Sequence, residues 1–257
     1  MRTYYHLLIF SLLASAFVAC NDVDKTSASA ADSLTVAEIS PKQLTAADIP
    51  ADVRYRGTLY KALQWQDKKG DNLLITSLVA PHASGASGQG GEEEQSAELY
   101  AFHFVKDNNG QYKLLWQMAD AERECPVDIS CAFLEQGIGI TDLDNNGIAE
   151  TTVAYKLACR GDISPASMKV VMHQDTVKYA LRGQMWNRFL TEDTTATLPV
   201  TEKDVNLATL PGYRGREDEY MKTYGRYENE KDFEKAPPAF LVHARQQWLK
   251  LAPETFE

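Results

Sequence analysis

Alternation of period two runs through most of this chain. In "ELYAFHFVKDNNGQYKLLWQMAD", Tyr100, Phe102 and Phe104 point one way, Tyr112, Leu114, Trp116 and Met118 alternate likewise, and Asn109-Gly110 lies between the two runs. Side chains of a strand point to its two faces in turn, and Asn-Gly suits the positive-φ positions of a tight turn, so the segment reads as a β-hairpin. "LYKALQWQDKKGDNLLITSLV" has the same form about Gly70, and a third hairpin is expected around Gly147. A fourth runs from Met168, Val170 and Met172 through "HQDT" to Val177, Tyr179 and Leu181. Only near the end does the period change. In "APPAFLVHARQQWLKL", Phe240, Leu241, Ala244, Trp248 and Leu251 share a helical face opposite Arg245, Gln246 and Lys250, and Pro237 or Pro238 fits the first turn. The pattern predicts a mainly β (α+β) fold: an antiparallel meander of β-hairpins covered by a C-terminal amphipathic helix. Turns at regular intervals also suit propeller blades, but the chain is short for a closed propeller, so an open sheet is expected.

The first residues follow a different logic. "MRTYYHLLIFSLLASAFVAC" carries one charge, Arg2, before an apolar run too short to remain in a membrane, which reads as a secretory signal over residues 1–19. "FVAC" resembles the lipobox of bacterial lipoproteins, which implies acylation of Cys20 and a membrane partner reached through that lipid. Phe17 departs from the usual lipobox, and Asn21 in place of Asp tilts the expected location in the cell envelope toward the outer membrane. From 20 to 50 the chain is Ala, Ser, Thr and Asp with few large apolar residues, which predicts a flexible tether. Residues 51–257 are then one β-rich domain, with a flexible polar loop at 83–97, "ASGASGQGGEEEQSA".

Charge narrows the partners. Without residues 1–19 the chain keeps 25 of its 26 basic residues against 36 acidic ones, and it has no basic block, which argues against nucleic acid and anionic headgroups. Of four cysteines, Cys20 is assigned to lipid, and Cys125, Cys131 and Cys159 allow one disulfide with one thiol over.

Chemistry concentrates in "TDLDNNGIAE", residues 141–150. Asp142, Asp144 and Asn146 hold positions one, three and five of a calcium loop, Gly147 the sharp turn, the Ile148 carbonyl position seven and Glu150 position nine. Strand-like flanks make it similar to the strand-loop-strand sites of integrin-type (FG-GAP-like) repeats, with a structural Ca²⁺ implied. Glu150 stands where those repeats usually place Asp. The alternative is a turn whose Asp and Asn side chains only bond their own backbone. Other motifs are weaker. Arg160-Gly161-Asp162 is an integrin tripeptide or simply a turn, and His82, His103, His173 and His243 show no zinc spacing. Glu217, Asp218 and Glu219 beside Tyr213, Tyr220 and Tyr224 could form a glycan-binding rim or a glycosidase pair, or a solvated loop.

"ECPVDIS", "TDLDNNGIAETTVAYKLACRGDISPASMKVVM", "KYALRG" and "YENEKDFEKAPPAFLVHARQQW" together resemble a family of bacterial exported lipoproteins named surface polysaccharide biosynthesis protein. The resemblance implies a β-rich exported domain with a role in capsule or lipopolysaccharide production and no known catalytic residue. It also implies pairing of Cys125 with Cys159, Cys131 being an extra; Cys125 with Cys131 is the rival. The expected function is a non-catalytic envelope lipoprotein, an accessory or binding component whose partner is a glycan or an envelope protein. A glycan-active enzyme and a surface adhesin or structural protein are the alternatives.

Overall fold

The structure, a computed structural model, describes residues 39–87, 93–187 and 201–254. The signal segment, Cys20 and most of the expected tether lie outside the described residues. Strands β1 (Lys42–Leu44), β2 (Thr58–Asp67), β3 (Gly70–Ser87), β4 (Glu93–Lys106) and β5 (Tyr112–Cys125) form a five-stranded sheet in chain order. Strands β6 (Ile129–Thr141), β7 (Glu150–Cys159), β8 (Ser167–Gln174) and β9 (Val177–Gln184) form a second sheet, again in chain order, and every pairing in both sheets is antiparallel. The meander is therefore divided between two sheets. Helix α1 (Pro238–Leu251) follows an irregular stretch, and two short strands, β10 (Trp186–Asn187) and β11 (Pro253–Glu254), pair in parallel.

The alternation of each strand supplies both of its faces with apolar side chains, so the sheets stack in layers. Leu63, Leu74, Leu99 and Met118 from the first sheet meet Phe133, Ile140, Val153 and Val171 from the second in a common core. Beyond the first sheet, Leu73, Ile75, Phe102 and Phe104 pack with Leu44 and Val53. Beyond the second, Met168, Val170, Met172 and Leu181 pack under Phe240, Ala244 and Trp248 of α1. That is the helical face expected from the sequence, and Pro238 stands at the first helical position. The Cys125–Cys159 disulfide joins the end of β5 to the end of β7, hence one sheet to the other, and among the described residues Cys131 is the free thiol.

Three expectations shift. Residues 42–44 fall within the stretch expected as a tether to residue 50, yet β1 pairs with β2 and buries Leu44, so ordered chain begins before residue 51. The polar stretch 83–97, expected as a flexible loop, is in large part the continuation of β3 and β4: Ala83 pairs with Gln95 and Ser87 with Glu93. Ladder bonds are made by the backbone, so strands that run past the core need no apolar side chains to stay paired. Finally, Tyr112, Leu114, Trp116 and Met118 do not share one face. Between His103↔Trp116 and Phe104↔Leu114 the register slips by a residue, which sends Tyr112 to the outer cluster and Trp116 and Met118 to the inner one.

Candidate metal centre

The loop between β6 and β7 turns on Asn145 and Gly147, both at positive φ (55° and 79°). Glycine at 147 takes the left-handed conformation without steric cost, and the flexible end of Lys68 packs over it, with Cε 2.6 Å from where a Cβ would lie. The β2–β3 turn packs on this loop: Lys68 N–H donates to the Gly147 carbonyl at 2.8 Å, Ala149 N–H donates to Asp67 at 3.0 Å, and the Lys68 ammonium bonds the Asn146 carbonyl. Two hairpin ends distant in sequence thus hold the loop's shape.

Within it, Asp142, Asp144 and Glu150 each offer a carboxylate oxygen, and the three lie within 4.8 Å of one another. Much of their capacity is already used. Asp142 Oδ2 accepts from Gly147 N–H at 3.0 Å, and Asp144 accepts from the Asn146 side-chain amide at 3.0 Å. Glu150 Oε2 accepts from Leu143 N–H at 2.8 Å and from the Thr141 hydroxyl at 3.1 Å, while Oε1 accepts from Gln174 at 2.9 Å. Asp142 Oδ1 is buried without any hydrogen-bond partner. Asn146 Oδ1 is taken by Ile148 N–H at 2.7 Å, and the Ile148 carbonyl lies 3.4 Å from the Gln174 amide. The structure therefore brings together Asp142, Asp144 and Glu150 and turns the Asn146 and Ile148 oxygens toward hydrogen bonds of their own.

Glu150 is fully buried, and burial drives its carboxyl up to about 7 against the opposing bonds from Leu143 and Thr141, with Asp144 and Asp142 adding to the rise. Three carboxylates this close repel one another unless a proton or a cation intervenes. An orphaned, buried carboxylate oxygen and an all-oxygen donor set fit a hard cation, so the cluster could hold a metal ion.

Gln174 was not legible as part of this site. It reaches Glu150 because the two are directly opposed in the β7–β8 ladder, and the only available signal was the register of that hairpin.

The other candidate residues go to structural tasks. Arg160 gives two bonds to Glu254, at 2.7 and 3.0 Å, and is mostly buried, which withdraws the Arg-Gly-Asp cation from display. Glu219 is buried and accepts from Lys222 and from Arg214 and Arg216 N–H groups, and Asp218 pairs with Arg216. These bonds tie a turn together. His103 lies in β4 and His243 in α1. Compared with protein-family models, curated proteins and solved structures, the chain matches none of them. No helix among the described residues is long and apolar enough to cross a membrane.

Proposed function

We propose that this protein is a lipid-anchored component of the cell envelope, without catalysis of its own, that serves surface polysaccharide production as a binding or accessory factor. Its domain carries a structural calcium ion on the loop between β6 and β7. The observation that carries the calcium reading is the convergence of Asp142, Asp144 and Glu150 around a buried, unpartnered Asp142 oxygen. Anchoring through Cys20 and the glycan role rest on the "FVAC" stretch and on the family resemblance.

Asp142, Asp144 and Glu150 would hold the ion, and Gln174 and Thr141 would orient Glu150 from the next strand and from the strand end. Calcium supplies charge neutralisation there. With so few carboxylates on a short loop, the site belongs to the weak extracellular kind, with a dissociation constant on the order of 10⁻⁴ to 10⁻³ M. At about millimolar free calcium this adds roughly 0.4 to 1.4 kcal/mol to folding by mass action. Melting in calcium against melting in chelator tests it: a rise of a few degrees is expected for the wild type and none for Asp142→Ala. Coincident curves for the wild type would remove the calcium reading. The anchor is read separately, by palmitate labelling of wild type and Cys20→Ala, where label entering both equally would end it. Loss of the gene with unchanged surface polysaccharide would end the glycan role.

A further inference from the structure

On the helix side of the second sheet, about six residues along β7 from the metal loop, a cleft of about 430 Å³ opens. That volume falls among small-molecule sites. Its wall is a large bulge. From Phe133 to Ile138, β6 takes five steps while β7 takes two, from Tyr155 to Val153, so three extra residues loop out and carry Glu135 and Gln136 to the cleft. Gly137 pins this wall: a Cβ there would sit 2.5 Å from the Ala154 Cβ and 2.7 Å from Leu251 at the end of α1. The bulge is thus packed in place.

The floor is ionic. Glu254 has a side chain 1% exposed, and it accepts from Lys156 at 2.9 Å, from both terminal nitrogens of Arg160 and from Ala166 N–H at 3.2 Å. Burial alone would raise its carboxyl, but the bonds from Arg160 and Lys156 outweigh burial and keep it ionised. Lys156 and Arg160 thus meet on one carboxylate at the cleft floor. At the rim stands Lys250, exposed and with no ion pair among the described residues. The lining therefore presents two ammonium groups for an anion, with a carboxylate and an amide, Glu135 and Gln136, to bond hydroxyl groups. An apolar ligand would strand these charges.

We propose that this cleft binds a hexuronic acid, free or at the end of a glycan, with its carboxylate on Lys156 and Lys250 and its hydroxyls on Glu135 and Gln136. The assignment rests on the lining alone and is independent of the calcium loop and of the proposed function. Calorimetric titration of the mature chain at low salt with glucuronate, glucose, inorganic phosphate and a short oligouronate tests it, using wild type, Lys250→Ala, Gln136→Ala and, as control, Lys42→Ala. Lys250, Gln136 and Lys42 are exposed, and a melting curve of each variant is to be taken alongside to check that it folds. Saturable binding of glucuronate is expected, with glucose and phosphate at least about tenfold weaker and Lys250→Ala weakened about fivefold. Gln136→Ala should weaken glucuronate and leave phosphate unchanged, and Lys42→Ala should match the wild type. Tighter binding of the oligouronate than of glucuronate assigns the glycan end; equal binding assigns the free sugar. Absence of glucuronate binding overturns the proposal, as does glucose or phosphate binding as well as glucuronate, or affinity unchanged in both cleft variants.

Discussion

Gly183 in β9 sits against the backbone of the irregular segment, and a Cβ there would lie 2.1 Å from the Arg226 carbonyl oxygen and 2.6 Å from the Tyr227 Cα. The approach is this close because the segment pairs on β9 almost as a further strand: Gln184 N–H donates to Arg226 at 3.0 Å and Glu228 N–H to Arg182 at 2.8 Å. It delivers Tyr227, fully buried, against Trp248 of α1. No rotamer change can relieve a clash with main chain. Gly183→Ala is therefore expected to cost about 2–3 kcal/mol, overpacking of the kind that forces backbone shifts. In a domain of this size that is a fall in melting temperature of roughly 4–12 °C. Gly110 offers the contrast, with a φ of 80° and nothing within 4 Å of a Cβ. Gly110→Ala carries only the left-handed penalty of about 1–2 kcal/mol. Equal melting temperatures for Gly183→Ala and the wild type would show that the segment does not dock where the structure puts it.

At the scale of elements, the disulfide is the plainest device, since it joins β5 of one sheet to β7 of the other across 34 residues. Closing a loop of that length removes roughly 3–4 kcal/mol of freedom from the unfolded chain on the chain-entropy model. Cys125→Ala with Cys159→Ala should lower stability by about that amount in denaturant melts, while Cys131→Ala should change it little. A reduced protein as stable as the oxidised one would remove the clasp from the account. The hairpins and α1 were legible because each is decided by nearby residues: Asn109-Gly110, Gly70 and Gly147 at turns, and a period that changes once before Phe240. The division into two sheets was not, because alternation says which face a side chain takes and nothing about which strands share a ladder. The extension of β3 and β4 past residue 83 was hidden by its Ser, Gly and Gln content, and the slipped register at Trp116 by a single unpaired residue. The acidic loop was legible residue by residue, since its ligands are close in sequence. Gln174, Lys68 and the cleft around Glu254 depend on pairings across distant strands, which no local spacing encodes.

For the molecule as a whole, the layer between the sheets sets the response to acid. His103 of the first sheet and His173 of the second are 4% and 5% exposed and flank Trp116, with ring centroids 5.5 and 3.9 Å away. Nδ1 of each histidine lacks a hydrogen-bond partner. Burial disfavours the imidazolium and depresses His103 to about 4, against the pull of Asp67 and Asp175, and His173 to about 3, with Lys178 and His103 adding to the fall. Above pH ~6.5, the ordinary histidine value, neither the folded nor the unfolded chain protonates them and their contribution is flat. As pH falls through that value the unfolded chain takes up protons that the folded one refuses. Stability is thus lost from pH ~6.5 down to the folded values, on the order of 2 kcal/mol for each histidine at about pH 5. Glu150 acts in the opposite sense. Its folded value, raised to about 7, means that without a cation acidification relieves the strain of its charge between pH ~7 and the ordinary carboxylate range. A bound calcium ion would hold Glu150 ionised and remove that relief. Denaturant melts at about pH 7.5 and about pH 5 should therefore show a loss of stability that is larger in calcium than in chelator. In calcium, His173→Phe, which keeps the stack on Trp116 and removes one titrating group, should cut the loss by about half. An undiminished acid loss in His173→Phe would move the sensitivity away from the layer between the sheets, and the same loss in calcium and in chelator would separate Glu150 from any cation.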